Sequence, residues 1–405
     1  MERGLGGEYK MVNKWNNITK MVLISFFSTL YFYSPILTLY YQKRGLSLFQ
    51  INSIQGIIFG AMCLSEVPTG IIADRIGRKF SIVTSLFLQL IGEIAFIFAS
   101  TYWHFAGIAI IAGINWSFNS GCIDALIYDS LKEEGRERDM SKAAGLNGAS
   151  LELSQVIGPL AGGLVASSLE MSRFILAVIM TSMSVAAAFF ISFSLKEPRT
   201  GSPRLEARPL VLLKDGVELL KGNVSLRRIV LLSLFASPFA SYFHALYQPY
   251  FVQANVTPVW LGIARSLGAA LAIAGSRYAY LLERHLGVKR SALLATAVPG
   301  VLYFFIALVY HPAFSVVLFC FAYGTMSVKG PLFASYQNRH IGSKNRATVL
   351  SIIALFAGMY EASMGLVIGR IADYRLSFAF MFMGGVVLLG AFLFSIDESH
   401  VIKNR

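Results

Sequence analysis

Twelve apolar runs dominate this chain, each close to the roughly 20 residues a helix needs to cross the hydrocarbon core of a bilayer. They lie near 18–41, 50–73, 80–99, 105–131, 143–167, 172–195, 229–253, 257–282, 291–310, 312–338, 346–372 and 376–396. Lipid offers backbone N–H and C=O groups no hydrogen-bond partner, so runs of this length cross as helices that satisfy themselves. The expected fold class is therefore an all-α integral membrane protein with twelve transmembrane helices. Composition agrees: 55% hydrophobic and 14% charged residues leave too little polar surface for a water-soluble domain of 405 residues.

The net charge of +13 does not point to nucleic acid, because the Lys and Arg residues sit in short segments between apolar runs rather than on one soluble face. They report topology instead. On one side of the predicted membrane lie 26 Lys and Arg, with Lys20 at the edge, against only Lys43, Arg44, Arg173 and Arg375 on the other. By the positive-inside rule both termini are expected to be cytoplasmic, in a multi-pass protein of the cell membrane. The first 17 residues are polar, and the apolar run after them is too long for a signal peptide, so no removed leader is expected. Cys63, Cys122 and Cys320 each lie within apolar runs without metal-ligand or disulfide spacing, so neither a metal nor a cofactor is expected.

The chain divides into residues 1–195, a polar linker at 196–228, and residues 229–405. Within the linker, Leu210, Leu213, Val217 and Leu220 share one face of a predicted amphipathic helix, Pro209 to Gly222, suited to the inner membrane surface. It either joins the halves or docks a regulator. The halves echo each other: Asp74-Arg75-Ile76-Gly77-Arg78-Lys79 follows the second run, and Glu283-Arg284 with Gly287 and Lys289-Arg290 follows the eighth. Gly158 and Gly162 of the fifth run recur as Gly365 and Gly369 of the eleventh. Such parallel repeats place a binding site between two six-helix bundles.

The segment Gly70-Ile71-Ile72-Ala73-Asp74-Arg75-Ile76-Gly77-Arg78-Lys79, between the second and third of twelve runs, resembles the signature loop of the major facilitator superfamily. The resemblance implies the two-bundle fold of that superfamily over essentially the whole chain. Asp74 is placed to meet the positive N-terminus of the eleventh span, which begins near Arg346, and so to latch the halves on the inside. The resemblance also implies a relay between a loop arginine and an acidic residue low in the fourth span, with Arg75 and Asp129 as the pair. Alternatively, Arg75, Arg78 and Lys79 only set topology. Gly145, Ser154 and Gly158-Pro159-Leu160-Ala161-Gly162-Gly163 in the fifth run resemble the superfamily's antiporter motif, with serine at one glycine position. They imply either close packing of the fifth and eighth spans in an exporter-like antiporter, or ordinary small-residue packing. The arginine that drug/proton antiporters carry in the fourth span is absent: Ala109 and Ser117 stand four residues before Gly113 and Gly121.

Ionisable groups inside a membrane are costly and usually face a cavity or a partner. Glu152, Lys329 and Glu361 lie deepest, with Asp124 nearer the cytoplasm and Arg265 nearer the outside. Asp124 with Lys329, and Glu152 with Arg265, are the expected pairs, each either a static salt bridge or a substrate or proton site. The resemblance implies that spans one, four, seven and ten line the path while three, six, nine and twelve support it, which makes Glu93 of the third a structural residue. Asn119, Tyr33, Tyr247 and Tyr323 are candidate lining residues.

With no phosphate-binding loop and no catalytic constellation, the expected activity is secondary active transport of a small organic solute by alternating access. Protons are the expected coupling ion, through Asp124 or Glu152. The expected partners are the solute, protons and the bilayer, with no nucleic acid and a monomeric chain. A facilitated uniporter, or a receptor or scaffold of the same fold, are the alternatives.

Overall fold

The computed structural model describes residues 16–198, 218, 221–222, 224–236, 238–340 and 346–393. The predicted amphipathic helix of the linker therefore falls largely outside the described residues. Among the described residues, eight helices are long and apolar enough to cross a membrane on their own: Leu48–Ile76, Arg78–Phe98, Tyr102–Glu133, Met171–Phe193, Val259–Gly287, Lys289–Leu308, Pro312–Ser335 and Leu376–Leu393. They coincide with predicted runs two, three, four, six, eight, nine, ten and twelve.

The other four runs fall in Asn17–Ser28 with Leu37–Lys43, Met140–Val165, Val224–Ala236 with Pro238–Gln253, and Arg346–Tyr374. These are the first, fifth, seventh and eleventh, two equivalent pairs of the repeat. The fifth is polar along part of its length, where Asn147, Ser150, Glu152, Ser154 and Gln155 follow one another along the helix.

Breaks in the helices have local causes. The first span unwinds after Thr29 and restarts through a single 3-10 turn, Ser34–Ile36, where Pro35 lacks a backbone donor. The fourth turns at Gly121, whose φ of 70° lies in the left-handed region. Gly77 (φ 124°) separates the second span from the third, and Gly287 (φ 75°) separates the eighth from the ninth. The sequence repeat around these two glycines is therefore a repeat of backbone geometry as well.

Contact between the halves runs along the second and eleventh spans and along the fifth and eighth. Glycine permits both approaches. A side chain at Gly163 would strike the backbone of Gly262, and one at Gly369 would strike Phe49 and Leu48. Outward faces are apolar, with Leu64 82%, Trp103 79% and Phe392 80% exposed, the surface expected where lipid is the solvent.

The buried core is unevenly distributed. The end of the bundle holding Arg75, Arg78, Lys79, Lys132 and Lys196 is termed the basic end; the turns at Arg44–Ser47 and Tyr374–Arg375 mark the opposite end. Near the opposite end and the middle, one continuous cluster joins both halves, including Tyr40, Ile51, Phe96 and Phe105 of the first and Phe243, Tyr247, Phe319 and Phe380 of the second. At the basic end the core is split. Met21, Ile82, Leu126 and Ala188 form a cluster within the first half, and Ala279, Ala292, Leu332 and Phe333 form another within the second.

Candidate substrate cavity

Between the halves, below the shared core, lies a cavity of about 500 Å3. Its first-half wall carries Tyr31, Tyr33, Tyr41, Gln89, Glu93, Phe96 and Trp116, and its second-half wall carries Ser241, Tyr242, His244, Gln248 and Arg265. The break in the first span opens this space, because residues 30–33 leave the helix and turn Tyr31 and Tyr33 toward the third span. Gln89 and Glu93, one helical turn apart on that span, meet them. Gln89 donates to Tyr31 Oη at 2.8 Å, and Tyr33 Oη donates to Glu93 Oε1 at 2.9 Å. The ring of Tyr33 stacks on Phe96 with centroids 5.3 Å apart. Glu93 is only 7% exposed, and its second oxygen, Oε2, is buried with no hydrogen-bond partner.

Arg265 occupies the facing wall. Its guanidinium lies 4.8 Å from the centre of the Tyr323 ring and Nη1 lies 3.5 Å from His244 Nδ1. His244 in turn packs edge-on against Tyr323 at 4.4 Å. Among the described residues neither Glu93 nor Arg265 has a partner of opposite charge.

At the opposite end the halves are joined by side chains that read exposed helix ends. Asp373, at the end of the eleventh span, accepts from the backbone N–H groups of Leu48 at 2.6 Å and Phe49 at 3.1 Å, the first donors of the second span. Gln248 enters the break of the first span, accepting from Thr38 N at 2.7 Å and donating to Ser34 O at 3.1 Å. Tyr247 Oη donates to Pro35 O at 3.2 Å. Nearer the middle, Ser266 donates to Val156 O at 2.7 Å, tying the eighth span to the fifth.

The basic end is built differently. Arg78 pairs with Asp129 and also donates to Ala125 O. This corrects the expected pairing of Asp129 with Arg75: the second span stops at Ile76, Gly77 redirects the chain, and Arg78 opens the third span facing Asp129, while Arg75 stays exposed on the preceding helix. Glu197 caps the third span, accepting from Arg78 N at 2.8 Å and Lys79 N at 2.6 Å, and its carboxylate fills the space a side chain at Gly77 would need. Lys79 Nζ donates to Phe193 O at 2.9 Å. These contacts hold the first half together. Asp74 is exposed, and nothing stands within 4 Å of where side chains at Gly70 or Gly145 would begin.

Several expected pairings are not formed. Asp124 and Glu152 are both exposed, and neither makes an ion pair with Lys329 or Arg265. The carboxylate that acts on Lys329 is Glu361. Lys329 begins a new helix after Val328 and lines a small void with Thr296, Tyr303 and Met326, away from the main cavity. The backbone O of Glu361 accepts from Tyr242 Oη. Tyr247 bridges the halves instead of facing open space, Tyr323 packs behind Arg265, and Asn119 is half-buried. In the antiporter-like segment, Gly163 supplies the contact with the eighth span at Gly262. Gly158 and Gly162 face the unwound backbone at Tyr31 and Phe32, Ser154 hydrogen-bonds Thr29 at 2.7 Å, and the carbonyl of Pro159 faces Gly262.

Asp373 and Glu197 were not singled out from the sequence, and Glu93, read there as a structural residue of a supporting span, lines the cavity. The spacing Gln89-x-x-x-Glu93 in an otherwise apolar run was the available signal for Glu93.

Comparisons with known proteins agree with this architecture. The sequence model described as Major Facilitator Superfamily matches residues 21–365. The uncharacterized MFS-type transporter YxaM of Bacillus subtilis (strain 168) is 23% identical over 370 residues, covering 90% of this chain and 91% of that one. Multidrug resistance protein 2 of the same organism is 22% identical over 356 residues, covering 84% and 85%. Among solved structures, the nucleoside transporter NupG superposes with a TM-score of 0.75 at 14% identity, covering 96% of this chain and 100% of that one. A bacterial homolog to the human lysosomal transporter Spinster, inward-facing and unoccupied, gives 0.73 at 15% identity, covering 94% and 95%. At these identities the superpositions establish the fold.

Proposed function

Because this chain belongs to the Major Facilitator Superfamily, and so to a family of membrane transporters, we propose that it moves a small organic solute by alternating access, coupled to protons. The observation that carries this reading is a central cavity whose floor is sealed by interlocked helix ends while the cores of the two halves stay separate at the basic end. With the basic end cytoplasmic, as the Lys and Arg bias favours, the conformation is inward-open. Rocking the halves about the crossings at Gly163–Gly262 and Gly369–Phe49 would close the basic end and release the opposite one. Asp74 then caps the eleventh span, as Asp373 now caps the second.

The coupling carboxylate proposed here is Glu93, in place of Asp124 or Glu152. A carboxylate accepts protons usefully when its surroundings change between states, and Glu93 is buried in the cavity wall beside Tyr33 whereas the other two are exposed. The segment Gly145 to Gly163 and the relationship to a multidrug resistance protein favour outward exchange of solute for protons.

The test is proteoliposome flux with a lumenal pH dye. A transported solute should collapse an imposed pH gradient in wild-type vesicles. Glu93→Gln should abolish that response while still exchanging labelled solute when the solute is supplied at saturating concentration on both sides. A transport-competent Glu93→Gln that still collapses the gradient at the wild-type rate would remove Glu93 from coupling. Vesicles that move no organic solute of any charge class would support the receptor or scaffold reading.

A further inference from the structure

Resting on that reading of the cavity as the transport site, we propose that its substrate is a zwitterionic organic solute, with an ammonium group seated on Glu93 and an anionic group held by Arg265. The two walls carry side chains that ionise with opposite signs and belong to different halves. Both charged groups line the same cavity of about 500 Å3, yet no ion pair joins them. A charge withdrawn from water without a partner is costly in this setting. A ligand bearing both charges completes both sites and adds no net charge to the membrane interior.

Each wall suits its half of such a ligand. Glu93 keeps one oxygen on Tyr33 and leaves Oε2 buried and without a partner. Tyr31, Tyr33 and Tyr41 line the cavity with it, and aromatic rings attract an ammonium group. On the other side Arg265 is propped by the Tyr323 ring and by His244, contacts that fix the guanidinium without neutralising it. An arginine so held presents donors in the fork geometry that carboxylate and phosphate groups match. A lone organic cation would leave Arg265 unpaired and a lone anion would leave Glu93 unpaired. The aromatic surface between them, including Phe105 and Trp116, fits an apolar or aromatic body.

The experiment is ligand-induced thermal stabilisation and equilibrium binding on the full chain in nanodiscs. The probes are phenylalanine, alanyl-phenylalanine and 4-(aminomethyl)phenylacetate, zwitterions of increasing charge separation, against 4-methylbenzylamine and 4-methylphenylacetate. At least one zwitterion should bind roughly ten- to a hundredfold more tightly than either singly charged probe, the gain of one charge-assisted hydrogen-bonded site. Glu93→Gln should lower zwitterion affinity to that of the anion, Arg265→Gln should lower it to that of the cation, and Glu93→Asp should restore part of the loss. Unchanged melting of the unliganded variants separates lost binding from lost folding. Tighter binding of 4-methylbenzylamine than of every zwitterion, abolished by Glu93→Gln and indifferent to Arg265→Gln, would overturn the proposal and make the cavity a cation site, leaving the transporter reading intact. Binding of none of the probes also overturns it, and two-sided accessibility of the cavity then decides whether the transporter reading falls as well.

Discussion

The two ends of this molecule are built from the same helices and behave oppositely. At one, a single core runs across both halves, and Asp373 sits on the N-terminus of the second span. At the other, each half has its own core, and Asp74, on the last turn of that same second span, is exposed. The second and eleventh spans are antiparallel neighbours with an aspartate at each C-terminal end, so only the angle between the halves decides which aspartate finds a helix N-terminus. On the proposed reading such an interface is bistable, closing one end would remove the cap at the other, and the difference between the ends marks one latch made and its counterpart open.

The largest effect should come from fixing that angle. A side chain on Gly56 would lie 3.7 Å from the Cβ of Ala362, within the range a disulfide spans. In a background without native cysteines, oxidised Gly56→Cys/Ala362→Cys should lose solute flux to the vesicle background and regain it on reduction. Flux that survives complete oxidation would mean that the second and eleventh spans need not separate.

Next in size is the contrast within the signature loop. Arg78→Ala should destabilise the first half by about 3–5 kcal/mol, because Asp129, with its side chain 4% exposed, is left without its partner. Arg75→Ala should stay within about 0.5 kcal/mol in thermal unfolding, being exposed and unpaired among the described residues. Equal losses from the two variants would contradict the assignment of the relay to Arg78.

Smaller shifts should appear in the balance between states. Gln248→Ala removes hydrogen bonds to the broken first span, favouring opening of the opposite end by about 1–3 kcal/mol. Asp373→Asn should act in the same direction by about 0.5–2 kcal/mol through weakened capping. Asp74→Asn should act in the reverse direction by no more than about 1 kcal/mol. Paired labels across each end, read by distance distributions, distinguish these signs, and parallel shifts from the two aspartates would sink the reciprocal latch.

Much of the architecture was legible because lipid imposes it. Span length, the Lys and Arg bias and the repeated Gly77 and Gly287 loops are local signals that survive without contacts. The site was harder to read. Glu93 lies on a span assigned to support, and it reaches the cavity only because the first span unwinds at Leu30–Tyr33 and exposes the face that Gln89 and Glu93 share. Gln248 acts on a backbone 210 residues away in sequence, through donors that exist only because that helix is broken. Asp124 and Lys329 do occupy comparable places just past breaks in the fourth and tenth spans. Their pairing depended on the angle between the halves, which no local pattern encodes.

The central claim, that one cavity is reached from two sides in turn, is tested most directly at Ser241, an exposed cavity residue. Ser241→Cys, in a background otherwise lacking cysteine, would be labelled with a membrane-impermeant maleimide in right-side-out and in inside-out vesicles. The account predicts modification from both sides, and from the cytoplasmic side alone once the 56–362 disulfide is also present and oxidised. Modification from a single side in the unlocked protein, unchanged by Asp373→Asn and by Asp74→Asn, would contradict alternating access in this chain.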